Sequence, residues 1–163
     1  MGQWETKGAS DEWYTPAYIF DALGERFDLD VASPPRQTHV PAEDRRNWDG
    51  LISEWPPTAF VWMNPPFGGP NGLVPWLDKF FAHGHGIALT PDRTSASWWT
   101  DAAEKADAVL FMRGRVKFER PDGSIGKSPA NGTNLFAAGP RAVSALRRAS
   151  SLGIVMEKKN NGD

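Results

Sequence analysis

The chain contains no cysteine, and that absence removes several chemistries at once: a disulfide scaffold, a thiolate zinc site and a cysteine nucleophile. Histidine is scarce as well. His39, His83 and His85 lack the spacing of a metal site, and His83-Gly84-His85 reads as a helix end with Gly84 as a left-handed cap. No metal is expected. Long apolar runs are also missing: no stretch approaches the ~18 residues that a membrane span requires. The amino-terminal Met-Gly-Gln-Trp-Glu-Thr-Lys lacks the apolar core of a signal peptide, so a cytoplasmic protein that does not enter membranes is expected. Charge of one sign is not in excess: 18 Lys and Arg stand against 20 Asp and Glu, a net charge of −2. That balance argues against an indiscriminate phosphate-binding surface, so a nucleic-acid partner requires local clustering of basic residues.

What is present suits one domain: 163 residues are enough for a real core but leave little room for a second. Residues 1–11 read as a loose polar arm, 12–156 as the domain and 157–163 as a tail. Eight tryptophans are many for this length; most are expected in packing roles, with a minority available for stacking. Thr15-Pro16 reads as a helix start, followed by Ile19, Phe20 and Leu23 at helical spacing up to Gly24. A short strand follows at 27–31. Residues 33–57 hold five prolines and many charges, and are expected to be irregular. Strands are then expected at 59–63, 86–90, 108–112 and 133–138, with 116–119 and an edge strand at 153–156 as further candidates. Helices are expected over 73–83, from a Ser95 cap to about 105, and after Pro140. Such alternation points to an α/β fold with a mostly parallel sheet, in which ligands bind beyond the carboxyl ends of the strands.

The most informative segment is Asn64-Pro65-Pro66-Phe67. An apolar run, Ala59 to Met63, is stopped by two prolines that cannot continue a central strand. An Asn carboxamide and the Pro65 carbonyl then stand at a strand end, with an aromatic ring two positions beyond. Two acceptors and a stacking face suit a planar molecule carrying an exocyclic amine. An ordinary strand-to-loop turn fits the tetrapeptide alone equally well.

Neighbouring segments separate the two readings. Glu12-Trp13-Tyr14-Thr15-Pro16 precedes a helix, Asp28-Leu29-Asp30-Val31-Ala32-Ser33 ends a strand, and Asn64-Pro65-Pro66-Phe67 ends another. This order, with the later Leu89-Thr90-Pro91, Trp98-Trp99 and Gly114-Arg115-Val116-Lys117-Phe118, resembles the S-adenosylmethionine-dependent DNA adenine-N6 methyltransferases, and more narrowly the small phage-type Dam family. The resemblance runs from about Trp13 to Gly139. It implies a compact Rossmann-like methyltransferase sheet with helices on both faces, and an adenine-specific DNA methyltransferase using S-adenosyl-L-methionine. Asn64, Pro65, Pro66 and Phe67 correspond to the clamp for a flipped adenine. Tyr14, Thr15 and Pro16 correspond to the methionine end of the cofactor site. Asp30, Ala32 and Ser33 correspond to the strand-end loop that holds methionine and ribose, and Asp49 to an acceptor for the cofactor's adenine amine. Thr15 is also expected to cap its helix.

The chain departs from the wider family at two points. Asp30-Val31-Ala32-Ser33-Pro34-Pro35 replaces the usual glycine-rich turn. The segment from Asp30 to Asn64 is short for two further strand–helix units, so one sheet edge is expected to be truncated. DNA is the expected partner. Arg93, Arg113, Arg115 and Lys117, with Arg120 and Lys127, give a basic stretch in a near-neutral chain. Arg115 and Lys117 alternate with Val116 and Phe118, which fits phosphate contact or a solvated face. Gly68 to Gly72 fits a lid over the base or a plain connector. No separate recognition unit is evident, so short or relaxed sequence specificity is expected. Two further readings remain open: a non-catalytic DNA-binding or regulatory module, and a methyltransferase acting on RNA or a protein amide.

Overall fold

Apolar β-strands bounded by glycine and proline dictate the architecture of the computed structural model, which describes residues 13–36, 38–47, 49–66, 72–126 and 131–159. Helix α1 (Ala17–Leu23) leads to strand β1 (Phe27–Ser33) and then β2 (Ala42–Asn47) and β3 (Val61–Met63). Helix α2 (Val74–His83), β4 (Gly86–Pro91), α3 (Ser97–Lys105) and β5 (Ala108–Met112) follow. Strand β6 (Thr133–Ala138), α4 (Pro140–Arg148), a 3-10 turn (Ser150–Leu152) and β7 (Gly153–Glu157) complete the described chain. The sheet has seven strands in the order β2-β1-β3-β4-β6-β5-β7. Strands β2, β1, β3 and β4 are mutually parallel. Two antiparallel pairings, β4 with β6 and β6 with β5, bring β5 back to the same direction. Five of the seven strands thus point their carboxyl ends at one edge, and β6 and β7 run the other way.

Strand periodicity divides the core into two layers. Trp62, Ile87, Leu89, Leu110 and Leu135 pack against α1 and α4 through Ile19, Leu23, Ala142 and Leu146. Their alternates Val61, Met63, Ala88, Val109 and Phe136 pack against α2 and α3 through Leu77, Phe80, Trp99 and Ala102. Helices therefore cover both faces of a Rossmann-like α/β sheet. Close approach within it needs glycine at one position in particular. A Cβ on Gly86 would lie 2.4 Å from the Val61 carbonyl oxygen, so β4 can sit beside β3 only with no side chain there.

Three local expectations are corrected. Residues 33–57 are not wholly irregular, because Ala42–Asn47 forms the edge strand β2. Its Glu43, Asp44, Arg45 and Arg46 lack the usual strand composition; pairing with β1, not propensity, holds them. Among the described residues it is the sole strand between β1 and β3, with no helix beside it, so this edge is short as expected. Residues 116–119 do not form a strand. Val116 is buried, and Glu119 makes isolated bridges to Tyr14 and Ile125. Finally, α3 starts at Ser97 after Ala96, without a side-chain cap from Ser95.

The turn residues behave as their chemistry requires. Gly24 and Gly84 close α1 and α2 with φ of 64° and 75°, the left-handed region that glycine enters without strain. The three histidines are dispersed. His39 pairs with Glu119, His83 with the Ala59 carbonyl, and His85 lies against the Phe60 ring.

Candidate active site

The parallel strands place the expected site residues along one edge. Strand β1 delivers Asp30, Ala32 and Ser33, and β3 ends at Met63, immediately before Asn64 and Pro65. Pro65 is buried, Asn64 half-buried and Pro66 exposed. Phe67 and residues 68–71 of the expected lid lie outside the described residues, as do Lys127, the arm at 1–11 and the last four residues of the tail.

Thr15 meets Asn64 directly. Helix α1 begins at Ala17 with Pro16 as its N-cap residue and no side-chain cap, so Thr15 does not cap the helix as expected. Its buried hydroxyl instead accepts a hydrogen bond from Asn64 Nδ2 at 3.3 Å. This bond uses the donor end of the carboxamide. Among the described residues neither Asn64 Oδ1 nor the Pro65 carbonyl has a partner, and both acceptors stand at the carboxyl edge. Tyr14 is buried and fixed by its backbone: its N–H donates to Glu119 O at 2.7 Å and its carbonyl accepts from Glu119 N at 3.0 Å.

Asp30 is the most perturbed acid of the site. Only 2% of its surface is exposed, and burial pushes its carboxyl from 3.8 up to about 6. The Ala32 N–H, which donates to Oδ1 at 3.3 Å, and the Arg45 guanidinium, 3.7 Å from Oδ2, restrain the rise without cancelling it. Arg45 stands there because β1 and β2 pair Asp30 with Arg45 in register. The register then shifts between Asp30 and Ser33, an irregularity of the kind that re-aims side chains beside sites. Ser33 is buried and its hydroxyl donates to the Pro34 carbonyl. Sequence reasoning missed Arg45, because its place beside Asp30 follows from a strand that composition hides.

Asp49 is exposed, two residues beyond the end of β2. Its neighbour Gly50 presses on β1: a Cβ there would fall 1.6 Å from the Val31 carbonyl oxygen. The Trp55 indole N–H donates to the Gly50 carbonyl, and Lys79 Nζ donates to the carbonyls of Gly50, Leu51 and Ser53. These bonds hold the chain next to Asp49 against the end of β1. Lys79 and Trp55 were not legible as site supports, since neither bears any local motif.

The basic residues also reach this edge. Arg93 follows β4, Arg113 follows β5, and Arg115 and Lys117 come next; all four are exposed. Val116 is buried and Phe118 partly so, which matches the expected alternation. The segment is tied to the rest of the site through Glu119 and its pairing with Tyr14. Among the described residues no group of three or more His, Cys, Asp or Glu is placed to hold a metal ion. None of the described helices is long and apolar enough to cross a membrane.

An α/β sheet ending in Asn-Pro-Pro, with a buried carboxylate on the adjacent strand, fits the methyltransferase family that the sequence resembles. The sequence model of the DNA N-6-adenine-methyltransferase (Dam) family matches residues 4–140, and the chain belongs to that family. It is similar to the DNA N-6-adenine-methyltransferase of Escherichia phage T1, with 26% identity over 156 residues. That match covers 91% of this chain and 64% of the phage protein, so the chain spans less than two thirds of its relative's length. No solved structure matches.

Proposed function

We propose that the protein transfers a methyl group from S-adenosyl-L-methionine to the N6 amine of adenine in DNA, in the cytoplasm of its host cell. The observation that carries this reading is the pair of acceptors at the carboxyl edge, Asn64 Oδ1 and the Pro65 carbonyl, with the carboxamide's donor end already engaged by Thr15. A planar amine bearing two hydrogens complements that pair. The N6 lone pair of adenine is delocalised into the ring and is a weak nucleophile. Two hydrogen bonds accepted by Asn64 and Pro65 favour a pyramidal nitrogen and strengthen as positive charge develops on it. No strong general base is needed, because the nitrogen becomes acidic only once it is alkylated.

A target adenine reaches these acceptors by flipping out of the helix, which costs about a few kcal/mol. Phe67, next after Pro66 in the sequence, supplies a stacking ring worth roughly 1–3 kcal/mol. Arg93, Arg113, Arg115 and Lys117 contact phosphates, which position DNA without reading it. Base readout confined to a few loops gives a short or relaxed target sequence.

The residues present fit the methyl donor. S-adenosylmethionine, when bound, supplies an electrophilic methyl on a sulfonium. The buried carboxyl of Asp30 suits a cationic group, and the Tyr14-Thr15-Pro16 and Ala32-Ser33 backbones flank it at the methionine end. Asp49, held beside the end of β1 by the Gly50 contact, accepts from the donor's adenine amine.

The test is transfer of labelled methyl from S-adenosylmethionine to unmethylated duplex DNA by the wild type and by Asn64→Ala. The expected result is label in DNA with the wild type and a loss of at least ~100-fold with the variant. Donor binding without transfer to DNA would redirect the reading to another planar amine. Neither binding nor transfer would favour a non-catalytic module.

A further inference from the structure

We infer that the Thr15 side chain is a positioning residue for Asn64, holding its carboxamide in place at the carboxyl edge for the target base. This rests on the adenine-clamp reading above, and it assigns the hydroxyl a role separate from donor binding by the neighbouring backbone.

An Asn side chain offers a carbonyl at one end and an NH2 at the other, with nearly the same shape. Turned one way it accepts from an amine; turned the other way it presents hydrogens to hydrogens and repels the substrate. The flanking strand cannot decide between the two, because both fit the same volume. A hydroxyl fixed in place holds the carboxamide by either end, and an amine that bonds Oδ1 leaves it the acceptor's part, as in this structure. Thr15 Oγ1 lies 3.3 Å from Asn64 Nδ2, forty-nine positions away in sequence. That distance gives a modest bond, so its worth depends on how firmly both residues are held.

Both are held unusually well. Each is followed by proline, Thr15 by Pro16 and Asn64 by Pro65, and a residue before proline is kept out of the helical region of backbone space. Thr15 is 4% exposed, and the two backbone bonds between Tyr14 and Glu119 anchor the preceding residue. Among the described residues the hydroxyl has no competing duty, and α1 takes no side-chain cap. A buried Thr oxygen that neither caps its helix nor reaches water freely is placed to engage one end of the carboxamide. With Nδ2 held by Thr15, Oδ1 faces outward beside the Pro65 carbonyl.

Thr15→Val removes the hydroxyl at constant shape, and Thr15→Ser restores it with less bulk. Three readouts separate the possible roles: single-turnover methyl transfer at saturating donor and DNA, donor affinity by calorimetry, and the thermal midpoint. Thr15→Val is expected to slow single-turnover transfer by about 10- to 100-fold, the worth of one hydrogen bond lost from a polarised group. Donor affinity is expected to change less than about twofold, and Thr15→Ser is expected to recover most of the rate. A Thr15→Val protein with normal transfer at saturation but weakened donor binding would overturn the inference, and so would one with no effect at all. Should Thr15→Val not fold, the side-chain amide hydrogens of Asn64 in the wild type give the answer by nuclear magnetic resonance. Protection from solvent exchange, reduced in Thr15→Ala, supports the bond, and solvent-like exchange contradicts it. If the wild type itself transfers no methyl to DNA, the clamp reading fails, whereas a wild type that transfers normally beside an unaffected Thr15→Val overturns only the positioning role.

Discussion

Asp30→Asn should stabilise the fold at neutral pH while impairing the site. The carboxyl is buried and its protonation midpoint rises from 3.8 to about 6, so the native state resists ionising it. Each unit is worth about 1.4 kcal/mol, which makes the ionised form costly by up to about 3 kcal/mol above pH 6. The direction is opposite to that of a salt-bridged acid. Below pH 3.8 the group is protonated folded and unfolded alike, and contributes nothing. Between about pH 4 and 6 the unfolded chain releases the proton first, so stability falls as pH rises; above 6 the whole penalty is present. Asparagine keeps the shape and carries no charge. The gap in stability between Asp30→Asn and the wild type should therefore widen from pH 4 to 6 and then level off. At about 2–4 °C per kcal/mol for a chain of this size, the full gap is roughly 6–12 °C in thermal midpoint. Thermal and urea unfolding of both proteins at pH 4, 5, 6 and 7.5 measures it. A gap that stays constant over that range would refute the assignment of a strained, ionised Asp30. The same substitution should weaken S-adenosylmethionine binding, a trade of stability for function.

Three other outcomes follow from particular contacts. Donor affinity in the wild type should fall as pH drops below about 6, because binding to a cationic ligand favours the ionised Asp30 that acid removes; calorimetry across pH 5–8 reads it. Gly50→Ala places a methyl 1.6 Å from the Val31 carbonyl oxygen, so backbone must shift. It should cost about 1–3 kcal/mol in unfolding experiments and displace Asp49 from its place beside β1. Lys117→Ala should weaken binding to all DNA sequences alike and reduce the slope of log affinity against log salt by about 0.9; a change confined to one sequence would contradict a phosphate contact.

Much of the sheet was legible because its inner strands are short apolar runs closed by glycine or proline. The strands at 86–91, 108–112 and 133–138 declare themselves in this way. Strand β2 does not: Ala42-Glu43-Asp44-Arg45-Arg46-Asn47 is half-exposed at the sheet edge and gains its order from register with β1. Charged edge strands resist unwanted pairing and for the same reason resemble loops in sequence. Arg45 went unnoticed with it.

Thr15 shows a different limit. A short hydroxyl residue before Pro-Ala-Tyr satisfies the local rule for a helix cap, and nothing nearby reveals a partner forty-nine positions on. The tertiary bond replaces the local one. The alternation of Arg115, Val116, Lys117 and Phe118 gave the burial of those side chains correctly, yet among the described residues no strand forms there, and the bridges of Glu119 to Tyr14 and Ile125 stay isolated. Asp30 was legible as a carboxylate near the carboxyl end of a strand. Its burial, and hence its resistance to ionising, belongs to the folded sheet alone.

The central claim is that the Asn64–Pro65 edge holds the amine of a DNA adenine. Its most direct test is the chemical position of the transferred methyl. DNA incubated with the protein and labelled S-adenosylmethionine is digested to nucleosides and analysed by mass spectrometry. The account predicts label solely in N6-methyl-2′-deoxyadenosine with the wild type, and at least ~100-fold less of it with Asn64→Ala. Label on another base or ring position, or undiminished N6 label with Asn64→Ala, would contradict it.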